Sequence, residues 1–430
     1  MKPGDYIEIK TKDKDILIGL VMPSTDKNII NLKLDSGYNL GIDKKKVTST
    51  KLLKKEKKQE EKPKIDLNPN PKLKTITILH TGGTIASKVS YSTGAVSPGF
   101  SPEDLILIFP ELKNIANIKS KLIGNMFSED MRFAHYNLMA KEIEKELNSS
   151  DGIILSHGTD TLAHSATALA FILENLNKPV ILVGAQRSSD RGSSDAAMNL
   201  ISAAHFIANS EYSGVAVCMH SSSSDDLCNI LPPCKIRKMH TSRRDAFKTV
   251  NANPIATVSK SGEVKFLSKY HKKEHKDKLK LKQFNEKLKI GILVAHPNMF
   301  AFEVKNYSKF DGLIIESTGL GHFPVNIVDN KTKEHKLILN ELKKITNKIP
   351  VVISSQCIFG MINMNVYDTG RKMQEAEILG NFSDMTTETA FIKLAWLLSN
   401  YPKKEIKNLI SHNFRDELSP RIEYKEDFLE

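Results

Sequence analysis

The sequence predicts an α/β fold in which a two-domain, parallel-sheet protein follows a small N-terminal β-barrel. Strand, turn and helix patterns alternate from Lys74 onward, which is typical of a mostly parallel sheet with helices on both faces. Short strands separated by turn signals recur about every ten residues over 1–50, as in a small barrel. A chain of 430 residues is too long for one ordinary core, so two or three domains are expected.

The barrel-like unit is predicted over residues 1–52. Its strands are expected at 6–9, 16–22, 29–34 and 38–42. Residues 53–72 are mostly charged and end in a proline-rich stretch, which is typical of a linker. The lysine-rich sequence that begins at Lys51 would allow a short helix before the prolines.

The first large domain is predicted over 73–270 and is expected to hold the active site. Its strands are expected near 75–80, 118–124, 152–156, 179–183 and 214–219. Helices are expected from Ser101 and near 135–147, 162–173 and 195–209. Residues 230–290 look irregular and basic, and 271–288 are predicted to be a charged connector.

A second, smaller α/β domain is predicted over 289–430, because the strand and helix rhythm returns at Lys289. Its strands are expected at 290–294, 312–316 and 351–354, and its helices near 337–346, 387–400 and 403–411. Trp396, the single tryptophan, lies in an apolar helical stretch and is expected in the core.

Composition narrows the class of protein. Hydrophobic residues make up 40% of the chain and charged residues 26%, as in globular proteins. No run approaches the ~18 apolar residues that span a bilayer, and no signal peptide is visible, so a cytoplasmic protein without membrane contact is expected. The four cysteines form no metal-type pair and are expected to be reduced thiols.

The net charge is +12, and half of this excess lies in residues 1–72, with 17 lysines and 11 acidic residues. A basic extension indicates an anionic partner such as nucleic acid. The alternative is a solvated, lysine-rich surface without a specific partner.

Two glycine-containing turns at strand ends are the candidate functional motifs. Thr81-Gly82-Gly83-Thr84 follows an apolar, β-branched strand, and His157-Gly158-Thr159-Asp160-Thr161 follows a second buried strand. Ligands bind at the carboxyl ends of strands in open α/β sheets, so the two turns are expected to form one site. Either turn alone could instead be a plain connection between a strand and a loop.

The residues in these turns suit acyl transfer. The hydroxyls of Thr84 and Thr159 become nucleophiles only when a base takes their proton, and a buried lysine is the obvious base. Backbone N–H groups of the glycine turns could stabilise the oxyanion. Asp160 could alternatively stabilise the following helix by ~0.3–1 kcal/mol at its N-terminus.

These paired turns resemble the signature of the L-asparaginase family. The resemblance extends over roughly residues 73–415 and includes the motifs Ser128–Met131, Lys178–Val180, Gly184-Ala185 and Phe247-Lys248. It implies an asparaginase-like fold and hydrolysis of a side-chain amide to a carboxylate and ammonia. It implies no metal or organic cofactor in this chain.

The resemblance also implies roles for individual residues. Thr84 is similar to the nucleophile that attacks the amide carbonyl, and Tyr91 to the tyrosine that assists it. Thr159, Asp160 and Lys248 are similar to a second triad of hydroxyl, carboxylate and base. For Lys248, an ordinary surface lysine is the alternative.

Substrate-binding roles are implied for Gly83, Ser128, Glu129 and Gly158. Ser128 and Glu129 resemble the pair that binds the α-carboxylate and α-amino groups of the substrate. The free hydrolases usually carry glutamine where this chain has Glu129, which is a departure from their pattern.

The N-terminal extension of about 70 residues is absent from ordinary asparaginases and resembles the asparaginase-like D subunits of archaeal glutamyl-tRNA(Gln) amidotransferases. Further motifs that look like this subfamily are Cys357–Gly360, Tyr367–Gly370 and Asp384–Glu388. The resemblance implies that ammonia from glutamine or asparagine passes to a partner E subunit, which uses ATP and Mg²⁺ to convert Glu-tRNA(Gln) to Gln-tRNA(Gln). It further implies a homodimer within a heterotetramer.

Two alternatives come from other classes of protein. A stand-alone cytosolic asparaginase or glutaminase could carry an unrelated extension. A non-catalytic, RNA-binding scaffold could use the threonine and glycine turns only as structure.

Overall fold

A mixed sheet with parallel central strands, a parallel sheet of three strands and an antiparallel sheet form the framework of the chain. The computed structural model describes residues 2–24, 26–36, 38–54, 69–82, 87–89, 96–98, 105–106, 108–187, 193–272 and 277–424. Within these residues, none of the helices is long and apolar enough to cross a membrane.

The N-terminal unit is an antiparallel sheet with the strand order β4-β3-β2-β1-β5. Its strands are β1 (Tyr6–Thr11), β2 (Ile16–Met22), β3 (Ile29–Leu34), β4 (Asn39–Asp43) and β5 (Val47–Lys54). Alternate side chains of these strands bury a small aliphatic core, as the period of two requires. The sequence predicts an end of the unit at residue 52 and allows a helix near Lys51, whereas β5 continues as a strand to Lys54. Closure of this sheet into a barrel stays a prediction.

The first large domain contains an eight-stranded sheet with the order β18-β17-β14-β13-β12-β10-β6-β9. Its parallel strands are β6 (Thr75–His80), β9 (Asn117–Leu122), β10 (Gly152–Ser156), β12 (Pro179–Val183) and β13 (Gly214–His220). Antiparallel strands extend it as β14 (Leu227–Leu231), β17 (Ala256–Ser259) and β18 (Val264–Phe266).

Helices cover both faces of this sheet. They are α1 (Leu112–Ile115), α2 (Phe133–Leu147), α3 (Leu162–Ile172) and α4 (Ala196–Asn209). The central strands β10 and β12 are buried at every position, which explains why both read as unbroken apolar runs.

The order of the parallel strands places a topological switch point between β6 and β10. The chain leaves β6 toward β9 on one side, and leaves β10 toward β12 and β13 on the other side. Ligand crevices form at the carboxyl ends of strands at such a reversal. Both candidate turns begin there, directly after His80 and Ser156.

Short strand pairs of two or three residues complete this region. They are β7 (Ser87–Val89) with β8 (Val96–Pro98), β11 (Leu173–Glu174) with β19 (Lys280–Leu281), and β15 (Ile236–Lys238) with β16 (Phe247–Thr249). Residues 230–290 therefore contain ordered strands where the sequence suggests irregular structure. These strands are short and rich in charged residues, so they lack the long apolar pattern that predicts a strand.

The second domain contains a three-stranded parallel sheet, ordered β20-β21-β22. Its strands are β20 (Ile290–Val294), β21 (Gly312–Ser317) and β22 (Val351–Ser355). Its helices are α5 (Ala301–Lys305), α6 (Glu334–Thr346), α7 (Asp368–Glu375), α8 (Thr387–Asn400) and α9 (Ile406–Leu409). The predicted α/β fold with two parallel-sheet domains is confirmed.

One hydrophobic core joins the two domains. Helix α3 of the first domain packs against α8 of the second, and residues from both belong to the same buried cluster. Trp396 is fully buried there, and its ring lies 5.0 Å from that of Phe171. The predicted core position of Trp396 is therefore confirmed.

Candidate active site

The two turns at the switch point are joined directly. The Thr81 backbone N–H and its Oγ1 both donate hydrogen bonds to the carbonyl oxygen of Ser156, at 3.2 and 2.9 Å. The imidazole of His80 bonds the Ser156 hydroxyl at 2.9 Å and the Ser120 hydroxyl at 3.0 Å. The structure thus brings the starts of both turns together, as the sequence predicted.

Gly82 occupies a position that only glycine fits well. Its φ is +114°, and a Cβ there would lie 2.4 Å from the carbonyl oxygen of Met126. This close approach draws the Met126 segment, which precedes Ser128, toward the first turn. Gly83, Thr84 and Tyr91 lie outside the described residues, so their roles stay predictions.

Ser128 and Gly158 lie next to each other. A Cβ on Gly158 would lie 2.8 Å from Cβ of Ser128. The Thr161 hydroxyl donates to the Ser128 carbonyl oxygen at 2.5 Å and fixes this segment against the second turn. Ser128 is buried, whereas the neighbouring Glu129 is exposed and available to a ligand. Sequence reasoning gave Thr161 no role of its own.

Lys238 lies between the hydroxyl and the carboxylate of the second turn. Its Nζ is 2.9 Å from Thr159 Oγ1 and 2.8 Å from Asp160 Oδ1. The Lys238 side chain is mostly buried, while Asp160 is largely exposed. These three residues form a cluster of hydroxyl, ammonium and carboxylate at the carboxyl edge of the sheet.

The prediction that Lys248 completes this cluster is wrong. Lys248 Nζ lies 3.2 Å from the carbonyl oxygen of Ser221 and 3.5 Å from a carboxylate oxygen of Asp245. In the hairpin β15–β16, Lys238 pairs with Phe247 and Lys248 pairs with Arg237. Adjacent residues of a strand point to opposite faces, so Lys248 points away from the face that carries Lys238.

A residue of the second domain supports the strand that carries Lys238. Arg237 Nε lies 3.2 Å from Glu388 Oε1 at the start of helix α8. Both side chains are partly buried, so the pair is less screened by solvent than a surface ion pair. The position of β15 therefore depends on contacts from both domains.

Burial keeps the two histidines beside the turns neutral. Desolvation lowers the pKa of His80 to about 4. It also lowers the pKa of His157 to about 4, although a hydrogen bond with the Gly158 carbonyl oxygen opposes the shift. The other ring nitrogen of His157 lies 2.8 Å from the Ser165 hydroxyl. Both imidazoles therefore hold the turns in place as neutral hydrogen-bonding groups.

Lowering the pH from 7 to 5 is expected to destabilise the fold by about 2 kcal/mol for each of these histidines. Their pKa is 6.5 when unfolded and about 4 when folded, so between these values only the unfolded chain binds the proton. Stability is therefore complete above pH 6.5 and falls as the pH falls toward 4. Urea unfolding of the wild type and of His157→Gln at both pH values measures the effect. An equal pH dependence in the two proteins would contradict it.

Comparison with known proteins shows which families the chain resembles. Three family models match the chain, namely "Asparaginase, N-terminal" over residues 75–272, "Glutaminase/Asparaginase C-terminal domain" over 289–410 and "GatD N-terminal domain" over 1–53. Among solved structures, the L-asparaginase I of Vibrio cholerae superposes with a TM-score of 0.68 at 27% identity, over 81% of this chain and 99% of that one. The thermostable L-asparaginase of Thermococcus kodakarensis gives a TM-score of 0.70 at 24% identity, over 80% and 99%. The asparaginase-like two-domain fold is thereby confirmed.

Curated relatives match nearly the whole chain. The D subunit of the glutamyl-tRNA(Gln) amidotransferase of Pyrococcus furiosus is 42% identical, over 97% of this chain and 95% of its own length. The protein of the same name from Methanococcus maripaludis is 41% identical, over 98% and 99%. The chain therefore belongs to the family of glutamyl-tRNA(Gln) amidotransferase D subunits, within the larger asparaginase family.

Proposed function

We propose that this chain releases ammonia from glutamine, or from asparagine, and supplies it to a partner E subunit. The partner would use ATP and Mg²⁺ to convert Glu-tRNA(Gln) to Gln-tRNA(Gln). The observation that carries the proposal is the contact of Lys238 with Thr159 and Asp160 at the switch point, beside the buried Ser128. The names of the full-length relatives support the amidotransferase context.

The proposed reaction has two steps. In the first, the Thr84 hydroxyl, assisted by Tyr91, attacks the side-chain amide carbonyl; the C–N bond breaks, and ammonia leaves as an ester forms on Thr84. In the second, water adds to the ester and frees both the acid and the threonine. Thr159 and Asp160 hold Lys238, whose Nζ would relay the proton of the attacking hydroxyl to the departing nitrogen, and the proton of the water to the Thr84 oxygen.

Substrate binding is assigned to Gly83, Ser128, Glu129 and Gly158. The exposed Glu129 carboxylate would bind the ammonium group of a free amino acid. The Ser128 hydroxyl, held by Thr161, would bind the α-carboxylate. These roles require no cofactor in this chain. The complex would be cytoplasmic and contain two copies of each subunit.

Ammonia release from glutamine and asparagine tests the catalytic part of the proposal. Thr159→Ala and Asp160→Asn are expected to lose about 10²–10⁴-fold in the rate of hydrolysis, because the first removes a hydrogen-bond acceptor of Lys238 and the second removes its negative counter-charge. Thr346→Ala, at the end of helix α6, is a matched control and should keep full activity. Full activity in both site variants would contradict the assignment.

Addition of the partner subunit, ATP, Mg²⁺ and Glu-tRNA(Gln) tests the context. A many-fold rise in glutamine hydrolysis, together with formation of Gln-tRNA(Gln), is expected of an amidotransferase component. An unchanged rate and no Gln-tRNA(Gln) would instead identify a stand-alone hydrolase.

A further inference from the structure

The N-terminal sheet has a face that its own core does not use. Ile7 and Ile9 of β1 and Val21 of β2 point to one face and are at most 5% exposed. Since successive residues of a strand alternate between faces, their neighbours point to the opposite side. We call this opposite side the outer face.

Aliphatic side chains form a row along the outer face. The cross-strand pairs there are Lys10 with Ile16, Glu8 with Ile18, and Tyr6 with Leu20. Ile16 is 58% exposed and Ile18 is 39% exposed. The row runs along β2, which is the middle strand of the sheet. The outer face therefore presents an aliphatic centre to solvent.

Lysines lie around this aliphatic row. Lys33 of β3 pairs with Leu20, and Lys51 of β5 pairs with Glu8, so both lie on the outer face, as Lys10 does. An apolar centre with a charged margin is the usual arrangement of a protein interface. Contiguous exposed apolar side chains within a polar rim are a feature of protein interaction sites.

The unit that bears this face is separate from the hydrolytic part of the chain. The two asparaginase models match 75–272 and 289–410, whereas residues 1–53 match a model of their own. The residues assigned to catalysis and substrate binding lie between Gly83 and Lys238. The outer face can therefore serve binding without taking part in amide hydrolysis.

We propose that the outer face docks a protein surface with an apolar centre and an acidic margin. The three lysines complement acidic side chains, and the aliphatic row requires an apolar counterpart. Single-stranded nucleic acid would cover the lysines, but its bases stack on aromatic side chains. The centre of this face carries the aliphatic Ile16, Ile18 and Leu20. Tyr6, the aromatic residue paired with Leu20, has its hydroxyl bonded to the carboxylate of Asp35. Resting on the proposed function, we assign the complementary surface to the partner E subunit.

Binding of the full-length chain to the purified partner subunit tests this assignment. Ile18→Glu places a carboxylate in the aliphatic centre, and Lys10→Glu reverses the charge of an exposed marginal lysine. Both variants are expected to bind at least ten-fold more weakly, and the loss for Lys10→Glu should shrink at high salt. Lys45→Glu, an exposed lysine outside the outer face, is the charge-matched control and should bind like the wild type.

Glutamine hydrolysis by the chain alone is the second readout and should be unchanged in all three variants. Wild-type affinity in Ile18→Glu and Lys10→Glu would overturn the proposal, and so would a loss confined to tRNA binding. Because Lys10→Glu alters only a surface charge, it remains informative if Ile18→Glu disturbs the small sheet. Absence of glutamine hydrolysis in the wild type would overturn the proposed function, while the affinities would still decide the docking surface.

Discussion

Replacing Lys238 by methionine is expected to reduce glutamine hydrolysis by about 10²–10⁴-fold, the usual contribution of a general acid or base. Methionine keeps most of the length of the side chain but removes the ammonium group that contacts Thr159 and Asp160. The loss should appear in kcat, because proton transfer belongs to the chemical step. Steady-state ammonia release over a range of glutamine concentrations measures it.

Lys248→Met is the matched control, since it makes the same substitution ten residues later on the opposite face of the same hairpin. It should change kcat by less than about three-fold, because Lys248 contacts Ser221 and Asp245 and not the Thr159 cluster. The reverse pattern, with Lys248→Met inactive and Lys238→Met active, would return the role to Lys248. If both variants kept the activity of the wild type, neither Lys238 nor Lys248 would be the base.

The parallel-sheet architecture could be predicted, because its central strands have clear apolar patterns in the sequence. Strands β10 and β12 are buried on both faces and therefore read as continuous apolar runs. The two glycine turns stand directly after such runs, so their place at the carboxyl edge could be predicted. The two turns lie next to each other because β6 and β10 are neighbouring strands at the switch point of the sheet. This strand order cannot be read from the sequence of either turn.

Which lysine joins Thr159 and Asp160 depends on a weaker pattern in the sequence. Phe247 and Lys248 belong to a family motif, but their alternation in a strand decides which side chain faces inward. Phe247 is fully buried, so its neighbour Lys248 must point outward. Lys238 is the cross-strand partner of Phe247 and therefore shares the inward face with it. The hairpin strands have only three residues each, so the pattern is too short to fix the register from the sequence.

Contacts between distant segments could not be predicted at all. Glu388 reaches Arg237 and Asp384 reaches Lys235 across about 150 residues of sequence, and no local pattern encodes such pairings. A charged residue in a helical stretch usually indicates a solvent-exposed face. Lys393 in α8 and Glu417 beyond α9 are instead fully buried, which follows only from the packed structure.

Replacing Glu417 by glutamine is expected to lower the free energy of unfolding by about 3–5 kcal/mol, the usual cost of breaking a buried ion pair. Glu417 lies 2.7 Å from Lys393 Nζ, and both side chains are completely buried. The same carboxylate accepts hydrogen bonds from the backbone N–H groups of Phe414 and Arg415. Its loss would leave the Lys393 ammonium without its counter-charge in a site where desolvation already lowers its pKa.

The fluorescence of Trp396 gives a direct readout, because its ring lies 5.3 Å from that of Phe414 in the segment that Glu417 holds. Urea unfolding followed at this single tryptophan should show a lower midpoint for Glu417→Gln. Glu341→Gln is the control, because Glu341 makes a 2.6 Å ion pair with the exposed Lys344. That surface pair should contribute no more than about 1 kcal/mol.

The double variant Lys393→Met/Glu417→Gln should recover most of the lost stability, since it leaves no uncompensated buried charge. A midpoint for Glu417→Gln equal to that of Glu341→Gln would show that the buried pair does not hold the C-terminal segment to helix α8.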